Sequence, residues 1–236
     1  MKLLENHRLS AVTAYLTDRE VSERVISGRV EAFSCKRAGE DKKLSKKLDQ
    51  QYQEELALSP SSSQFLSMSP LGALSDATSR RLLIDLISTL NASFPDYDFS
   101  CLRPDQFTKE ASAPFVMRSI NSNLADVATQ EALTELWSAV DDAVTLDDCD
   151  VYSYVPDLET DPFSDNLWSF NYFFFNKALK RIVFFTCVAR SKYNYNDLTQ
   201  QESVDDFRIP NNDNDEDDDF EDSDAFDMDD TNTDVD

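Results

Sequence analysis

The sequence predicts an α+β domain, because helical patterns and strand patterns occupy separate parts of the chain. A helix and a strand open the sequence, three helices follow, and a strand and a β-hairpin come last. Such segregation is typical of α+β domains, whereas strands that alternate with helices favour a parallel sheet. The chain has 236 residues, of which 41% are apolar, so it can form one domain with its own core and some appendages.

The opening helix and strand lie within the first 35 residues. Leu9, Val12 and Leu16 recur at helical spacing, which predicts a short helix. Residues 25–35 are rich in β-forming side chains and predict a strand. One face of that strand carries Ile26, Val30 and Ala32.

Three successive helices are predicted in the middle of the chain, because apolar residues recur there at helical spacing. The first apolar stripe consists of Leu83, Leu86, Ile87 and Leu90. The second consists of Val116, Ile120, Leu124 and Val127. The third consists of Leu133, Leu136, Trp137, Val140 and Val144. Ser75, Asp76 and Ser79 are candidate caps of the first helix, and Ser112 with Pro114 indicates the start of the second.

The last strands carry the heaviest apolar loading. Residues 151–155 predict a short strand that ends at Pro156. Residues 168–175 and 182–188 predict a hairpin with its turn near Asn176. Aromatic side chains alternate between the two faces of its first strand, which indicates cover on both faces and a central place in the sheet. The hairpin residues assigned to the core are Phe170, Tyr172, Phe174, Val183 and Phe185.

Shifts in composition divide the chain into four parts. Residues 1–36 and 76–195 form the globular domain, and residues 37–75 form a mobile, Ser/Lys-rich regulatory insertion between them. Residues 196–236 form a disordered acidic tail, because they contain too little apolar area to offset the entropy cost of ordering.

The negative charge is concentrated near the C-terminus. The formal net charge of the chain is −24, and residues 202–236 carry −16 of it, from 17 acids and one base. This balance argues against a bare DNA- or RNA-binding module, which neutralises phosphates with clustered bases. The tail has three interpretations: a solubilising appendage, a ligand for basic proteins or mimic of nucleic acid, or an autoinhibitory arm on the domain's own bases.

The sequence predicts no enzyme activity, metal or cofactor. His7 is the only histidine, the three glycines are isolated, and the acids around Cys149 lack the spacing of a calcium loop. The four cysteines are far apart, so buried thiols in a reducing compartment are expected. No run approaches the ~20 apolar residues of a membrane span, and the first residues lack the apolar centre of a signal peptide. We therefore expect an intracellular protein without a membrane partner.

The predicted insertion contains two kinds of candidate regulatory residue. Ser59 and Ser69 each precede a proline, as the targets of proline-directed kinases do. Several phosphates there would reverse the local potential beside the lysines, since each adds about −1.5 to −2 charges. The lysine cluster is a candidate nuclear-import signal or only a solvated linker, and consists of Lys42, Lys43, Lys46 and Lys47.

Several short segments together carry a specific family pattern. They lie at residues 1–6, 28–35, 95–99, 149–157, 161–163, 168–177 and 179–185. The most specific is Trp-Ser-Phe-Asn-Tyr-Phe-Phe-Phe-Asn-Lys at 168–177. On these segments the chain resembles the eukaryotic Maf-type negative regulators of RNA polymerase III, from residue 1 to about residue 189, interrupted at the insertion.

The resemblance implies a fold and a function. The fold is a central antiparallel β-sheet of four or five strands with helices packed on its faces. The function is non-enzymatic repression: members bind RNA polymerase III and the TFIIB-related subunit of TFIIIB and block recruitment to promoters. TOR-pathway and other kinases, opposed by a phosphatase, control movement between nucleus and cytoplasm. The resemblance implies no sequence-specific contact with nucleic acid, and we assume a monomer.

The resemblance also suggests site residues. Ser59, Ser69 and Ser75 match the family's phosphorylated serines by sequence context. The charged residues of the matching motifs are our candidates for partner contacts, with solubilisation of the sheet end as the alternative role. These candidates are Asp157 and Asp161 in a proline-containing loop, and Lys177, Lys180 and Arg181 at the hairpin turn. The alternative function is an acidic chaperone of basic nuclear proteins that acts through the tail.

Overall fold

One seven-stranded sheet, five α-helices and two short 3₁₀ helices make up the regular structure of the described residues. These residues are 1–36, 39–58, 69–157 and 162–193 of a computed structural model. The strands are β1 (Lys2–Leu4), β2 (Arg19–Val21), β3 (Arg24–Ser34), β4 (Phe107–Lys109), β5 (Asp150–Tyr154), β6 (Trp168–Asn176) and β7 (Arg181–Ser191). The helices are α1 (His7–Leu16), α2 (Gly39–Leu58), α3 (Ala77–Ser93), α4 (Ala113–Leu124) and α5 (Gln130–Val144). None of these helices combines the length and the apolarity that crossing a membrane requires.

All the strand pairs are antiparallel, and the predicted hairpin β6–β7 lies at the centre of the sheet. The strand order is β1-β3-β7-β6-β5-β4, and β2 pairs with the opposite end of β3 from β1. β3 and β7 pair along their whole length, from Arg24 opposite Ser191 to Ser34 opposite Arg181. This register places the start of β7 beside the end of β3, although nearly 150 residues separate them in sequence.

The strand number is a correction to the sequence analysis, which predicted four or five strands. The additional strands β1, β2 and β4 contain three residues each. A run of three residues is too short to show the alternation by which a strand is recognised, and its pairing depends on a long neighbour already in place. The predicted α+β class with an antiparallel sheet is confirmed.

Each face of the sheet is covered by its own hydrophobic cluster. The first cluster joins α1, α4 and α5 to one face and contains Val140, Phe174 and Phe185. The second joins α2 and α3 to the other face and contains Phe173 and Phe184, whose ring centroids lie 4.8 Å apart. The alternation predicted for β6 is therefore correct, because Phe173 and Phe174 point to opposite faces.

Two of the five hairpin side chains assigned to the core are only half-buried. Phe174, Val183 and Phe185 are fully buried, whereas Phe170 and Tyr172 are partly exposed. The register accounts for Phe170 alone, because β5 pairs with β6 at residues 172–175 and Tyr172 lies opposite Ser153. The first part of β6 therefore has β7 on one side and no paired strand of the described chain on the other.

The predicted helix starts are confirmed by their capping hydrogen bonds. The Asp76 carboxylate accepts from the Thr78 backbone N–H at 3.0 Å at the start of α3. The Ser112 hydroxyl accepts from the Phe115 backbone N–H at 3.3 Å, with Pro114 in the first turn of α4. Both caps satisfy backbone donors that the helix itself leaves free.

The segment assigned to a mobile insertion, residues 37–75, contains the 20-residue helix α2. Leu48 of α2 is buried and Leu44 partly buried against the second hydrophobic cluster, so α2 packs on α3. After α2, residues 59–68 lie outside the described residues, and so does the whole segment expected to form the tail, residues 196–236.

Candidate functional site

The β6–β7 turn holds three of the predicted contact residues at one end of the sheet. Buried Asn176 anchors this turn: its side-chain amide donates to the Val144 carbonyl at 2.8 Å, and its amide oxygen accepts from the Leu179 N–H at 2.9 Å. Lys180 adopts a left-handed backbone conformation, with φ of 52°. Lys177, Lys180 and Arg181 are all exposed.

Two further lysines, which the sequence analysis did not select, join this turn through the sheet register. Lys2 lies opposite Ser34, and Ser34 lies opposite Arg181, so all three occupy one row across β1, β3 and β7. Lys36 follows the end of β3, where the Cys35 N–H donates to the Lys180 carbonyl at 2.9 Å. No local pattern could have found these lysines, because only strand pairing brings them together.

We call this surface the basic end of the sheet. It consists of the exposed residues Lys2, Lys36, Lys177, Lys180 and Arg181. Within the described ranges, no carboxylate pairs with any of its four lysines.

Bases elsewhere in the fold are commonly neutralised by carboxylates. Arg8 pairs with Glu135 at 2.8 Å and also contacts Asp142. Arg24 pairs with Asp126 at 2.9 Å. Other pairs are Arg80–Asp49, Lys109–Asp150 and Lys192–Glu20. The basic end differs from these sites in having several cations and no partner carboxylate among the described residues.

Arg181 differs from the four lysines because its side chain has a structural partner. Its guanidinium donates to the Ala143 carbonyl at 3.2 Å, near the C-terminus of α5. A cation is favourable there, since the last turn of a helix carries a partial negative charge. Lys177 and Lys180 are thus the better residues to change when binding, rather than folding, is under test.

The predicted acidic contact lies at the opposite end of the sheet. Ser153 of β5 is opposite Tyr172, so the chain from Tyr154 to Asp157 runs away from the β6–β7 turn. Asp157 is exposed, and its carboxylate accepts from the Gln106 side-chain amide at 3.1 Å. A nine-residue strand separates the two ends by roughly 30 Å at about 3.3 Å per residue. The structure therefore does not bring Asp157 to the basic end, and Asp161 lies outside the described residues.

The candidate import lysines all lie on α2. Lys42, Lys43, Lys46 and Lys47 are exposed, while Leu44 and Leu48 face the second hydrophobic cluster. The predicted linker cluster is therefore presented on a packed helix. Lys47 also lies near Asp98: hydrogen bonds from Ser100 lower the pKa of that carboxyl first, and the Lys47 charge lowers it further.

The described candidate phosphorylation residues differ in access. Ser69 is half-buried at a turn, where its hydroxyl accepts from the Leu71 N–H at 3.1 Å and its carbonyl accepts from the Gly72 N–H at 2.9 Å. Ser75 is exposed, and its carbonyl accepts from Arg80 at 3.0 Å. Ser59 lies outside the described residues.

The acids around Cys149 form no metal cluster in the part of the chain that the structure describes. The Cys149 thiol donates to the Val144 and Thr145 carbonyls at 3.4 Å each. Burial, reinforced by neighbouring acids, raises its pKa to about 12. A protonated thiol is a poor nucleophile and a poor metal ligand.

A cavity of about 150 Å³ lies between α1 and α5. Its lining is almost wholly apolar and includes Val12, Tyr15, Leu133 and Leu136. Glu135 is the one charged residue among the described residues that line it, and the hydrogen bond from Arg8 lowers the pKa of that carboxyl. Its shape and chemistry suit an apolar side chain rather than a polar reaction centre.

Similarity to known proteins covers most of this fold. A family model described as Maf1 regulator matches residues 26–186. A Dictyostelium discoideum protein named "Repressor of RNA polymerase III transcription" is 36% identical over 264 aligned positions, which span 88% of this chain and 94% of the relative. A Schizosaccharomyces pombe protein named "Repressor of RNA polymerase III transcription maf1" is 39% identical over 193 positions, which span 78% of this chain and 81% of the relative.

A solved structure agrees with the sequence relatives. The crystal structure of citrus MAF1 in space group P 31 2 1 matches with a TM-score of 0.60 and 33% sequence identity, over 79% of this chain and 98% of that one. The matched family region includes most of β3, all of β6 and the first part of β7. The chain therefore belongs to the Maf1 regulator family.

Proposed function

We propose that this chain represses transcription by RNA polymerase III, by binding the polymerase and TFIIIB and blocking promoter recruitment. The observation that carries the proposal is that relatives named as repressors of this polymerase align along most of the chain. The family region includes the β6–β7 turn with Lys177, Lys180 and Arg181. Repression of this kind needs a rigid surface that occupies space, and no catalytic group.

The basic end is the proposed contact with an acidic surface of the polymerase or of the TFIIB-related subunit of TFIIIB. Its lysines are exposed and, within the described chain, without carboxylate partners, so a partner does not have to break an ion pair with the described part of the fold. Charged contacts of this type mainly set orientation and association rate. Asp157, with Asp161 beyond the described residues, is a second proposed contact at the opposite end, for a basic partner surface.

Charge reversal at the turn tests this contact. Lys177→Glu with Lys180→Glu should weaken binding to purified RNA polymerase III, whereas Arg81→Glu with Arg118→Glu should not, although both pairs change the charge equally and are exposed. RNA polymerase II serves as the specificity control. Equal binding by both variants would remove the basic end from the proposal, and equal binding of both polymerases by the unchanged chain would contradict the repressor function.

Asp157 has its own matched control. Asp157→Lys should weaken binding, whereas Asp105→Lys, at an exposed position at the same end of the sheet, should leave it unchanged. Loss of binding in both variants would indicate a diffuse effect of charge rather than a contact. Unchanged binding of Asp157→Lys would restrict the footprint to the basic end.

Phosphorylation of Ser59, Ser69 and Ser75 by TOR-pathway and other kinases, reversed by a phosphatase, is the proposed control. Exposure of Ser75 and of the four α2 lysines supports the idea that charge added here changes access to the candidate import signal and hence movement between nucleus and cytoplasm. A variant with Ser59→Asp and Ser69→Asp should accumulate in the cytoplasm and repress less. Its nuclear level, measured by microscopy beside Ser59→Ala and Ser69→Ala, is the test.

A second candidate function is an acidic chaperone of basic nuclear proteins. The charge of −16 on residues 202–236 favours it. A chain that ends after Gln201 distinguishes the two functions. If this shortened chain still binds RNA polymerase III selectively, the domain is the repressor; if binding to basic proteins is the main activity and disappears with residues 202–236, the chaperone function holds instead.

A further inference from the structure

We propose that the acidic C-terminal segment of this chain binds the basic end of its own sheet. The segment in question is residues 213–230, in which 12 of 18 residues are acidic and none is basic. Its proposed binding surface consists of Lys2, Lys36, Lys177, Lys180 and Arg181. The contact joins the most concentrated negative charge of the chain to a surface of exposed cations.

Charge pairing within the fold is the first argument. Several bases outside the basic end already have carboxylate partners, as Arg8, Arg24 and Lys192 do. The four lysines of the basic end have none among the described residues. A segment of many carboxylates gains most where it does not have to displace an acid that is already bound.

The length of chain after the described fold is the second argument. The chain leaves the described fold at Tyr193, just past the end of β7 opposite the basic end. The 11 residues of β7 span roughly 35 Å at about 3.3 Å per residue. The 8 residues from 194 to 201 reach at most about 28 Å, so they alone are too short to follow β7 back to the basic end. Residue 213 is 20 residues beyond Tyr193 and can lie up to about 70 Å from it. The linking residues are therefore long enough for the segment 213–230 to reach the basic end.

Covalent attachment is the third argument. Exposed charge pairs are individually weak, because solvent and salt screen them. A tethered segment, however, has an effective concentration of the order of millimolar, so several weak pairs suffice for substantial occupancy. Such a contact is sensitive to salt, because the Debye length falls from about 10 Å at 0.1 M to about 3 Å at 1 M.

The contact has a regulatory consequence, which rests on the proposed function. An acidic partner surface and residues 213–230 would compete for the same lysines, so the free protein would be partly autoinhibited. The contact itself does not depend on which partner the basic end binds.

Nuclear magnetic resonance of the full chain tests the contact. The comparison is with a full-length variant that carries Asp→Asn and Glu→Gln throughout residues 213–230. We expect amide shift differences concentrated at residues 34–36 and 177–181, and we expect them to disappear at 0.5 M NaCl. Absence of differences, or differences equally large around the exposed bases Arg81, Arg103 and Arg118, would overturn the proposal.

A second variant tests the surface instead of the segment. Lys36→Gln, Lys177→Gln and Lys180→Gln together should abolish the shift differences, whereas Arg81→Gln, Arg103→Gln and Arg118→Gln together should preserve them. Carbodiimide cross-linking of the unchanged chain should join Lys36, Lys177 or Lys180 to carboxylates of 213–230 within one molecule. Cross-links found only at the mass of a dimer would overturn the intramolecular contact.

Binding to RNA polymerase III separates this inference from the proposed function. If the segment contacts the basic end, the acid-neutral variant should bind polymerase more tightly than the unchanged chain. If the shifts appear but the charge-reversed turn still binds polymerase normally, the contact stands and the proposed footprint fails. If the shifts are absent while the charge-reversed turn loses polymerase binding, the footprint stands and the intramolecular contact is wrong.

Discussion

Arg80 of α3 and Asp49 of α2 form an ion pair with 2.8 Å between the guanidinium Nε and the carboxylate. The same guanidinium donates to the Leu74 carbonyl at 2.7 Å and to the Ser75 carbonyl at 3.0 Å. The Arg80 side chain therefore links α2 to the segment that leads into α3. The segment that contains the exposed Ser75 is thereby fixed to the packed part of the fold.

Arg80→Ala is expected to loosen α2. Removal of three hydrogen bonds from a guanidinium that is largely shielded from solvent should lower the free energy of unfolding by about 1–2 kcal/mol. Hydrogen–deuterium exchange of the α2 amides should become faster, while that of α5 changes little. Arg81→Ala, at the exposed neighbouring position, is the control, and exchange in α2 equal to that of this control would contradict the role given to Arg80.

Phe184→Ala is expected to be among the most destabilising changes in the sheet. Phe184 is fully buried, 4.8 Å from the Phe173 ring and 6.0 Å from the Phe94 ring. The lost burial and the cavity left behind should cost about 3–5 kcal/mol, measured by urea unfolding. Phe115→Ala is the matched control, because Phe115 is 51% exposed and its truncation should change stability by less than about 0.5 kcal/mol. Similar effects of the two changes would show that the second cluster is not a packed core.

Gly72→Ala is expected to destabilise the segment before α3. Gly72 has φ of +98°, and a Cβ atom there would lie 2.7 Å from the Ser79 hydroxyl oxygen, near the start of α3. Left-handed strain and this close contact should cost about 1–3 kcal/mol. Gly39→Ala, at the open N-terminus of α2, meets nothing within 4 Å and should have little effect or a slightly stabilising one. Thermal melts should give a lower melting temperature for Gly72→Ala than for Gly39→Ala. Equal melting temperatures would contradict the prediction.

Stability is expected to fall as the pH rises from about 9 to about 12. Burial raises the pKa of the Cys187 thiol from 9.0 to about 12, so the folded state retains a proton that the unfolded state loses above pH 9. The contribution of Cys187 to the free energy of unfolding is complete below the ordinary thiol pKa. It is lost as the pH approaches the raised pKa. Urea unfolding between pH 8 and 11 measures how steeply the free energy of unfolding falls with pH. Cys187→Ala should give a shallower slope whatever its stability at pH 8, and an unchanged slope would exclude this thiol as a source.

The periodic elements were predictable because their signals are local. Leu83, Leu86, Ile87 and Leu90 define the buried stripe of α3 at helical spacing, and Asp76 supplies the cap. The aromatic alternation of β6 likewise predicted which rings face each side of the sheet. Short strands were missed, since three residues in β1 carry too little pattern to be distinguished from a loop.

The candidate site was only partly predictable. The sequence by itself determined the amphipathic helices, the central hairpin and the concentration of acid in residues 202–236, because periodicity and composition are local properties. Only the tertiary structure decided that Lys2 and Lys36 join Lys177 and Lys180, and that Asp157 lies at the other end of the sheet. Strand register sets these distances, and register depends on side-chain packing between segments far apart in the chain.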